Sequence, residues 1–141
     1  MRHRKSTLRL NYKPQLARMM ERNLVTSLLL YESIRTTQKR AKVIQPIIDK
    51  LITAARTKTP VLAIRHINAV VTDRNASRKI MEVYKARYAK RTSGLTRIVP
   101  VGARKGDGAR LVDLTMMDSD VTVEKQEKAG RAEKRVSSSK K

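Results

Sequence analysis

The sequence contains no cysteine, phenylalanine or tryptophan, and aromatic residues make up only 3% of it. Without cysteine there is no disulfide framework and no thiolate metal site. The hydrophobic core is therefore expected to be aliphatic, built from Leu, Ile, Val, Met and Ala. So few aromatic rings also argue against a protein that reads single-stranded nucleic acid on a platform of stacked side chains.

Acidic residues are scarce as well. The 141 residues include 12 Asp and Glu against 33 Lys and Arg, which gives a net charge of +21. Such a concentrated positive charge repels itself unless a polyanion balances it. The phosphates of RNA or DNA are the natural complement, because the counterions they release drive binding. We therefore predict a nucleic-acid partner, in preference to a surface that is charged only for solubility.

Long apolar runs are missing too, and the stretch from Leu28 to Tyr31 is far shorter than the roughly 20 residues of a membrane-spanning helix. The N-terminus, Met1 to Lys5, is basic, but no apolar secretion segment follows it. We expect a cytoplasmic protein without a membrane partner.

Catalytic groups are sparse. His3 and His66 are the only histidines, and neither has the neighbours that a metal site or a nucleophile needs. Asp118 and Asp120 are close in sequence and are interpreted as a solvated turn. The sequence predicts no enzyme, no cofactor, no bound metal and no small-molecule substrate.

A basic, glycine-rich segment, Gly102 to Gly108, is a candidate phosphate-binding loop. It departs from the GxxxxGK[ST] pattern, and a predicted strand follows it where a nucleotide-binding loop has a helix. Nucleotide hydrolysis is therefore disfavoured. The cations Arg104 and Lys105 favour RNA contact over an ordinary hairpin loop, because glycines let the backbone approach a phosphate.

The first half of the chain predicts an extended arm, a helix, a short strand and a longer helix. Residues 1–13 carry cations and no acid, and they form the predicted arm. Apolar residues spaced by three and four predict a helix over Pro14 to Tyr31. The β-prone run Ser33 to Thr37 predicts the strand, and apolar periodicity predicts the second helix over Gln38 to Thr57. Thr36 or Thr37 could cap this second helix.

The second half predicts two more helices, from Pro60 to about Thr72 and from about Ala76 to Lys90. Thr59 could cap the earlier of them. The segments Leu95 to Val101 and Arg110 to Met116 predict an antiparallel hairpin. We expect one globular domain over residues 14–116, and a polar, lysine-rich tail over residues 117–141.

Basic residues are spread over all of these segments, which favours a folded RNA held at many points over DNA read by one recognition helix. Arg18 and Arg22 lie one turn apart on the first predicted helix, so both could face one phosphate backbone. Lys39, Arg40 and Lys42 crowd the start of the second, where cations oppose the helix dipole. Either an external phosphate or plain solvation could accommodate them.

Six short segments occur in a fixed order along the chain: Met1 to Lys5, Arg22 to Leu29, Ile34 to Thr37, Lys50 to Thr53, Thr96 to Ile98, and Arg104 to Asp107. Together they resemble the L-seventeen family of bacterial large-subunit ribosomal proteins. The resemblance covers Met1 to about Met116, and its order and spacing make it specific. It departs from the family at Leu16-Ala17, where a His-Arg pair is common, and at Ser93-Gly94-Leu95, where a Gly-Gly-aromatic turn is frequent. The first departure weakens the expectation of one RNA contact.

The resemblance implies an α+β fold of helix, strand, three helices and two strands, with a small three-stranded mixed sheet packed against the helices. It implies a structural, non-enzymatic role in translation, bound to large-subunit ribosomal RNA near the peptide exit and beside neighbouring ribosomal proteins. The protein would be cytoplasmic and ribosome-associated. The expected RNA-binding residues are Arg2, His3, Arg4, Lys5, Arg9, Lys13, Arg18, Arg22, Asn23, Arg35, Lys39, Arg40, Lys42, Arg87, Arg91, Arg97, Arg104, Lys105 and Arg110.

Overall fold

The computed structural model, which describes residues 8–118, has an α+β fold in which the helices precede a C-terminal pair of strands. In chain order the elements are α1 (Pro14–Tyr31), β1 (Ser33–Thr37), α2 (Gln38–Thr57), α3 (Pro60–Asn68), α4 (Arg74–Lys79), a π-helical segment (Ile80–Tyr84), α5 (Lys85–Arg87), β2 (Thr96–Ala103) and β3 (Arg110–Met116). The predicted fold class and element order are confirmed. The first seven residues of the predicted arm and the tail beyond residue 118 lie outside the described residues, so the division into arm, domain and tail stays a prediction.

The first three elements have the bounds that the sequence predicts. Pro14 occupies the first position of α1, where its missing N–H leaves no hydrogen bond unmade. The helix ends at Glu32, which adopts a left-handed conformation (φ 60°) and donates its backbone N–H to the Leu28 carbonyl oxygen at 2.8 Å. Strand β1 therefore begins immediately after a sharp change of chain direction.

The later helices differ from the prediction. Helix α3 ends at Asn68 and not near Thr72, because the run from Val70 to Thr72 is β-branched and disfavours helix. The next helix starts earlier than predicted, at Arg74. The carboxylate of Asp73 accepts from the backbone N–H of Asn75 at 2.6 Å and of Ala76 at 3.3 Å, so the predicted break is a helix cap. This helical run continues through the π segment and ends at Arg87.

The proposed threonine caps are correct in position only. Thr37 precedes α2 and Thr59 precedes α3, but neither side chain makes a capping hydrogen bond to the backbone of residues 8–118. The first turn of α2 contains no acidic residue. The cations at this helix end are therefore not balanced by a carboxylate within that turn.

The sheet has the order β1-β3-β2, and both pairings are antiparallel, so the expectation of a mixed sheet was wrong. The last strand lies in the centre, and β1 and β2 pair with its two edges. Its register places Leu114 opposite both Ile34 and Ile98. The register shifts between Pro100 and Gly102, which marks a β-bulge, and β2 runs on to Ala103. Gly102 is thus part of a strand, and the hairpin loop is shorter than predicted.

The core is aliphatic, as predicted, with two tyrosines added. The fully buried aliphatic side chains come from α1, α2, α3, the π segment and the sheet, and include Leu28, Leu29, Ile44, Ile48, Leu51, Ile52, Ile67, Ile80 and Leu114. Tyr84 and Tyr88 are buried among them, with ring centroids 6.0 Å apart. The Tyr84 hydroxyl donates to the Leu29 carbonyl oxygen at 2.7 Å, which satisfies it inside the core.

The turn before β2 is held against α2 by a single carboxylate. Asp49 accepts the backbone N–H groups of Gly94 and Leu95, each at 3.2 Å. Gly94 has φ +68°, a conformation that favours glycine, and Leu95 is buried. The segment that departs from the family pattern, Ser93-Gly94-Leu95, is therefore a defined turn that starts the hairpin.

Candidate nucleic-acid interface

The structure brings the end of the predicted arm beside the first half of α2. Leu10 is buried and anchors the arm against the helices, while Arg9 and Lys13 are exposed. The Arg40 guanidinium Nη2 donates to the Tyr12 hydroxyl oxygen at 3.3 Å. Residues predicted from separate segments thus form one basic corner, which also includes the exposed side chains of Lys39 and Lys42.

The two arginines of α1 have different environments. Arg18 and the nearby Asn23 are exposed. Arg22 is half-buried, and its Nε and Nη2 donate to the carbonyl oxygens of Val70 and Ala69 at 3.1 and 3.0 Å. Its guanidinium therefore closes the end of α3, a role that helical spacing alone does not reveal.

The solvent face of the sheet carries Arg35 on β1 and Arg97 on β2. In the strand register Arg35 lies opposite Asp113 and Arg97 lies opposite Thr115. Because residues 113 and 115 point to the same face of β3, the two arginines lie on one face of the sheet, on either side of β3. Arg35 Nε and Nη2 contact the Asp113 Oδ1 and Oδ2 at 2.8 and 3.2 Å. This carboxylate raises the pKa of the Arg35 guanidinium, which stays charged and oriented while its side chain is 61% exposed.

The tip of the β2–β3 hairpin is a basic turn in which Arg104 and Asp107 form an ion pair. Arg104 Nε donates to the Asp107 Oδ1 at 3.0 Å, and the same oxygen accepts the Ala109 N–H at 3.2 Å. The Arg104 guanidinium and the Ala109 N–H hold the pKa of the Asp107 carboxyl well below its ordinary value. Lys105 and Arg110 are exposed beside this turn.

The glycines of this tip serve the turn itself. Gly106 and Gly108 have φ of +107° and +62°, and an added Cβ at either would meet no atom within 4 Å. Backbone conformation, and not lack of space within the chain, therefore requires glycine there. Their expected role in letting RNA approach stays a prediction.

Arg87, predicted to contact RNA, is engaged within the fold. Its Nη1 donates to the Glu32 Oε2 at 2.9 Å, and the Lys79 Nζ lies 2.8 Å from the Glu32 Oε1. Both cations lie 5.5 Å from the centroid of the Tyr84 ring. Burial alone would raise the pKa of Glu32, but hydrogen bonds and charge from Lys79 and Arg87 outweigh it and hold that pKa below its ordinary value of 4.5.

Sequence reasoning missed this cluster. The only signal was an isolated acid, Glu32, at the end of an apolar helix, and nothing in the spacing connects it with Lys79 or Arg87. The outer end of the same region carries Arg91, whose Nη1 lies 3.3 Å from the Asp118 Oδ2, and both side chains are exposed.

The remaining predicted residues are exposed, and no ion pair or side-chain hydrogen bond within residues 8–118 engages them: Arg9, Lys13, Arg18, Lys39, Lys42, Arg97, Lys105 and Arg110. Arg2, His3, Arg4 and Lys5 lie outside the described residues. RNA contact by each of these residues stays a prediction. The described cations occupy the arm, both long helices, the sheet face and the hairpin, so the charge is dispersed as the sequence indicates.

The described residues were expected to hold neither a metal site nor a membrane-spanning helix, and two observations bear on this. No group of three or more His, Cys, Asp or Glu side chains between residues 8 and 118 could hold a metal ion. His66 is exposed on α3, apart from any such group. None of the described helices is both long and apolar enough to cross a membrane.

Comparison with known proteins identifies one matching family profile and several proteins of similar sequence. The family profile described as Ribosomal protein L17 matches residues 20–117. A protein of Syntrophotalea carbinolica is 38% identical over 122 residues, which cover 86% of this chain and 78% of the relative. Proteins of Desulforudis audaxviator (39%, covering 77% and 96%) and Gemmatimonas aurantiaca (38%, covering 83% and 98%) are similarly related. All three are named large ribosomal subunit protein bL17. The chain therefore belongs to the ribosomal protein L17 family, as a structural protein of the large ribosomal subunit and not an enzyme.

Proposed function

We propose that this protein binds and stabilises the folded RNA of the large ribosomal subunit, near the peptide-exit side and next to other ribosomal proteins. The observation that carries the proposal is the distribution of exposed cations. Arg9, Arg18, Lys42, Arg97 and Lys105 lie on five different segments of one fold. A single duplex groove would engage one face, whereas a folded RNA surrounds a small protein and meets cations on several faces.

The binding energy comes mainly from phosphate neutralisation. Each Lys or Arg that meets a phosphate releases a counterion, so affinity falls steeply as salt is raised. The aliphatic core, together with the ion cluster of Glu32, Lys79 and Arg87, keeps these cations at fixed mutual positions. A rigid array of cations holds distant RNA segments in a fixed arrangement, and this is the structural contribution that we assign to the protein.

Some cations are oriented by a carboxylate and still exposed. Arg35 is held by Asp113, and Arg104 is held by Asp107 at the hairpin tip. Such pairs restrict the guanidinium before RNA arrives, which lowers the entropy lost on binding. The position near the peptide exit rests on the family resemblance alone.

The experiment that tests this function is fractionation of bacterial ribosomes after washes of increasing salt. The protein is expected to remain with the large subunit through moderate salt, to be absent from the small subunit and to dissociate only at high salt. Recovery of the protein only in ribosome-free fractions would contradict the proposal. Equal affinity for generic duplex DNA and for large-subunit RNA would favour a general architectural protein instead.

The position is tested separately by chemical crosslinking of intact large subunits followed by mass spectrometry. Exposed lysines outside the expected RNA-binding set, such as Lys58 and Lys90, are expected to link to ribosomal proteins that also crosslink to a stalled nascent chain. Links confined to proteins on the face that joins the small subunit would contradict the exit-side position and leave RNA binding intact.

A further inference from the structure

A groove of about 710 Å³ lies between the end of the arm, the start of α1 and residues 42–50 of α2. Its lining combines apolar and charged side chains. Tyr12, Pro14, Pro46 and Ile47 contribute apolar surface, and Ala17 leaves room between the two helices. The volume is within the range of about 300–1,000 Å³ that is typical of sites for small molecules and cofactors.

The tyrosine at this groove is held in place from two sides. Buried Leu10 anchors the arm two residues before it, and the Arg40 guanidinium donates to its hydroxyl oxygen at 3.3 Å. Tyr12 is nevertheless 47% exposed. A planar ring is therefore fixed at the groove with free surface for a second planar group.

The charged residues of the lining define the chemistry of the occupant. Arg9, Lys42 and Lys50 are exposed cations, and among the described residues Glu21 is the only acid that lines the groove. Three cations bordering apolar surface fit a group that is flat and apolar on its faces and anionic on one side. A nucleotide has this combination, with a base for the apolar surface and a phosphate for the cations.

We infer that this groove binds one unstacked nucleotide of the ribosomal RNA, an inference that rests on the proposed function. The base packs against the Tyr12 ring and the prolines. Its own phosphate and the next one along the strand contact Arg9, Lys42 and Lys50. A single ring accommodates a single base, so the scarcity of aromatic residues does not conflict with this site, as it does with a multi-base platform.

Glu21 further restricts the base. A carboxylate accepts hydrogen bonds and donates none, so it favours an exocyclic amino group and is repelled by a carbonyl oxygen. At C4 of the pyrimidine ring, cytosine carries an amino group and uracil carries a carbonyl oxygen. The groove is therefore expected to hold a base with an amino group, and to disfavour uracil.

The first test compares two exposed tyrosines in the full-length protein. Tyr12→Ala is expected to weaken binding to large-subunit ribosomal RNA by roughly five- to a hundredfold, the range for loss of one base-stacking ring. Tyr31→Ala, at a tyrosine outside the groove, is expected to leave affinity unchanged. Tyr12→Phe keeps the ring and should bind nearly as the wild type does. Equal affinity of Tyr12→Ala and Tyr31→Ala would overturn the inference.

Salt dependence separates stacking from charge. Tyr12→Ala should lower affinity without changing the slope of log K against log salt, whereas Lys42→Ala should reduce that slope by roughly one unit. Because Tyr12→Ala could loosen the arm, Ala17→Phe provides a second variant that fills the groove and leaves the ring in place. It should lose affinity to a similar degree, and wild-type binding by Ala17→Phe would overturn the inference.

Failure of this site is distinguishable from failure of the proposed function. A wild-type protein that does not bind large-subunit RNA would overturn both. RNA affinity that is unchanged in Tyr12→Ala, with loss of assembly into the particle, would identify a protein segment as the occupant and overturn only the nucleotide site.

The base preference is tested by competition with short oligonucleotides. Oligocytidine of ten residues should displace ribosomal RNA from the wild-type protein several-fold better than oligouridine of the same length, since the two carry equal charge. Glu21→Gln should reduce this difference, because an amide can donate as well as accept. Equal displacement by the two oligonucleotides, or none by either, would overturn the assigned base preference.

Discussion

Arg87 Nη1 lies 2.9 Å from the Oε2 of Glu32, a contact between residues that are 55 positions apart in the sequence. The other oxygen of Glu32 contacts the Lys79 Nζ at 2.8 Å, and the side chain of Glu32 is only 11% exposed. Its backbone ends α1 in a left-handed conformation, and its carbonyl oxygen accepts the Met116 N–H at 2.8 Å. One residue thus joins the first helix, the helical run of residues 74–87 and the central strand.

Removal of this carboxylate is expected to destabilise the fold. Glu32→Ala should lower the free energy of unfolding by about 3 kcal/mol, because it leaves two partly buried cations without their counterion. Glu32→Gly should be less damaging by about 1 kcal/mol, since glycine adopts the φ of 60° without a steric penalty. Urea unfolding monitored by circular dichroism measures both. A loss below about 0.5 kcal/mol for Glu32→Ala would show that the ion cluster does not stabilise the fold.

Stability should fall in acid because of the same carboxylate. The folded pKa of Glu32 lies below its ordinary value of 4.5, so the unfolded chain takes up the proton first as the pH falls. The contribution of Glu32 is therefore complete above pH 4.5 and is lost as the pH drops through the folded pKa. Urea unfolding of the wild type and of Glu32→Gln between pH 7 and pH 3 measures it. The difference between the two should shrink at low pH, and a constant difference would contradict this linkage.

Much of the fold was predictable because its signals are local. Pro14 and the spacing of Leu24, Leu28 and Tyr31 define α1 within a few turns of chain, and the observed bounds match the prediction. The π segment, Ile80–Tyr84, was not predictable, because packing of buried Tyr84 against α1 is a tertiary effect. The central position of β3 in the sheet was also not predictable, since strand order depends on contacts between residues as distant as Ile34 and Leu114.

The site was predictable in charge but not in the role of each cation. Composition and spacing treat Arg18, Arg22 and Arg87 alike. The fold separates them, because Arg22 donates to the end of α3 and Arg87 donates to Glu32, whereas Arg18 is exposed. Partners 47 to 55 residues away determine this difference, and no local pattern encodes it.

A short truncation should separate RNA binding by the arm from its packing. Removal of residues 1–7 deletes Arg2, Arg4 and Lys5 and keeps buried Leu10. The slope of log K against log salt for large-subunit RNA should fall by about 2 to 3, since each phosphate contact contributes about 0.7–0.9. Salt-dependent binding assays measure this slope, and urea unfolding should show an unchanged free energy.

Removal of residues 1–13 provides the comparison for this truncation. It also deletes Leu10, so it should lower the free energy of unfolding as well as the salt slope. A slope that the shorter truncation leaves unchanged would show that the first seven residues do not contact phosphates.

The two arginines of α1 provide a matched pair for separating the stability of the fold from binding. Arg22→Ala should lower the free energy of unfolding by about 2 kcal/mol, because the carbonyl oxygens of Val70 and Ala69 lose a charged donor. Arg18→Ala should change stability by less than about 0.5 kcal/mol and reduce the salt slope of RNA binding by about one unit. Arg22→Lys keeps the charge but cannot reproduce the two-pronged contact, so it should be destabilised while binding folded RNA with an unchanged slope. Urea unfolding and salt-dependent binding of all three variants measure these effects. A full loss of one slope unit in Arg22→Ala, with wild-type stability, would instead assign Arg22 to the RNA.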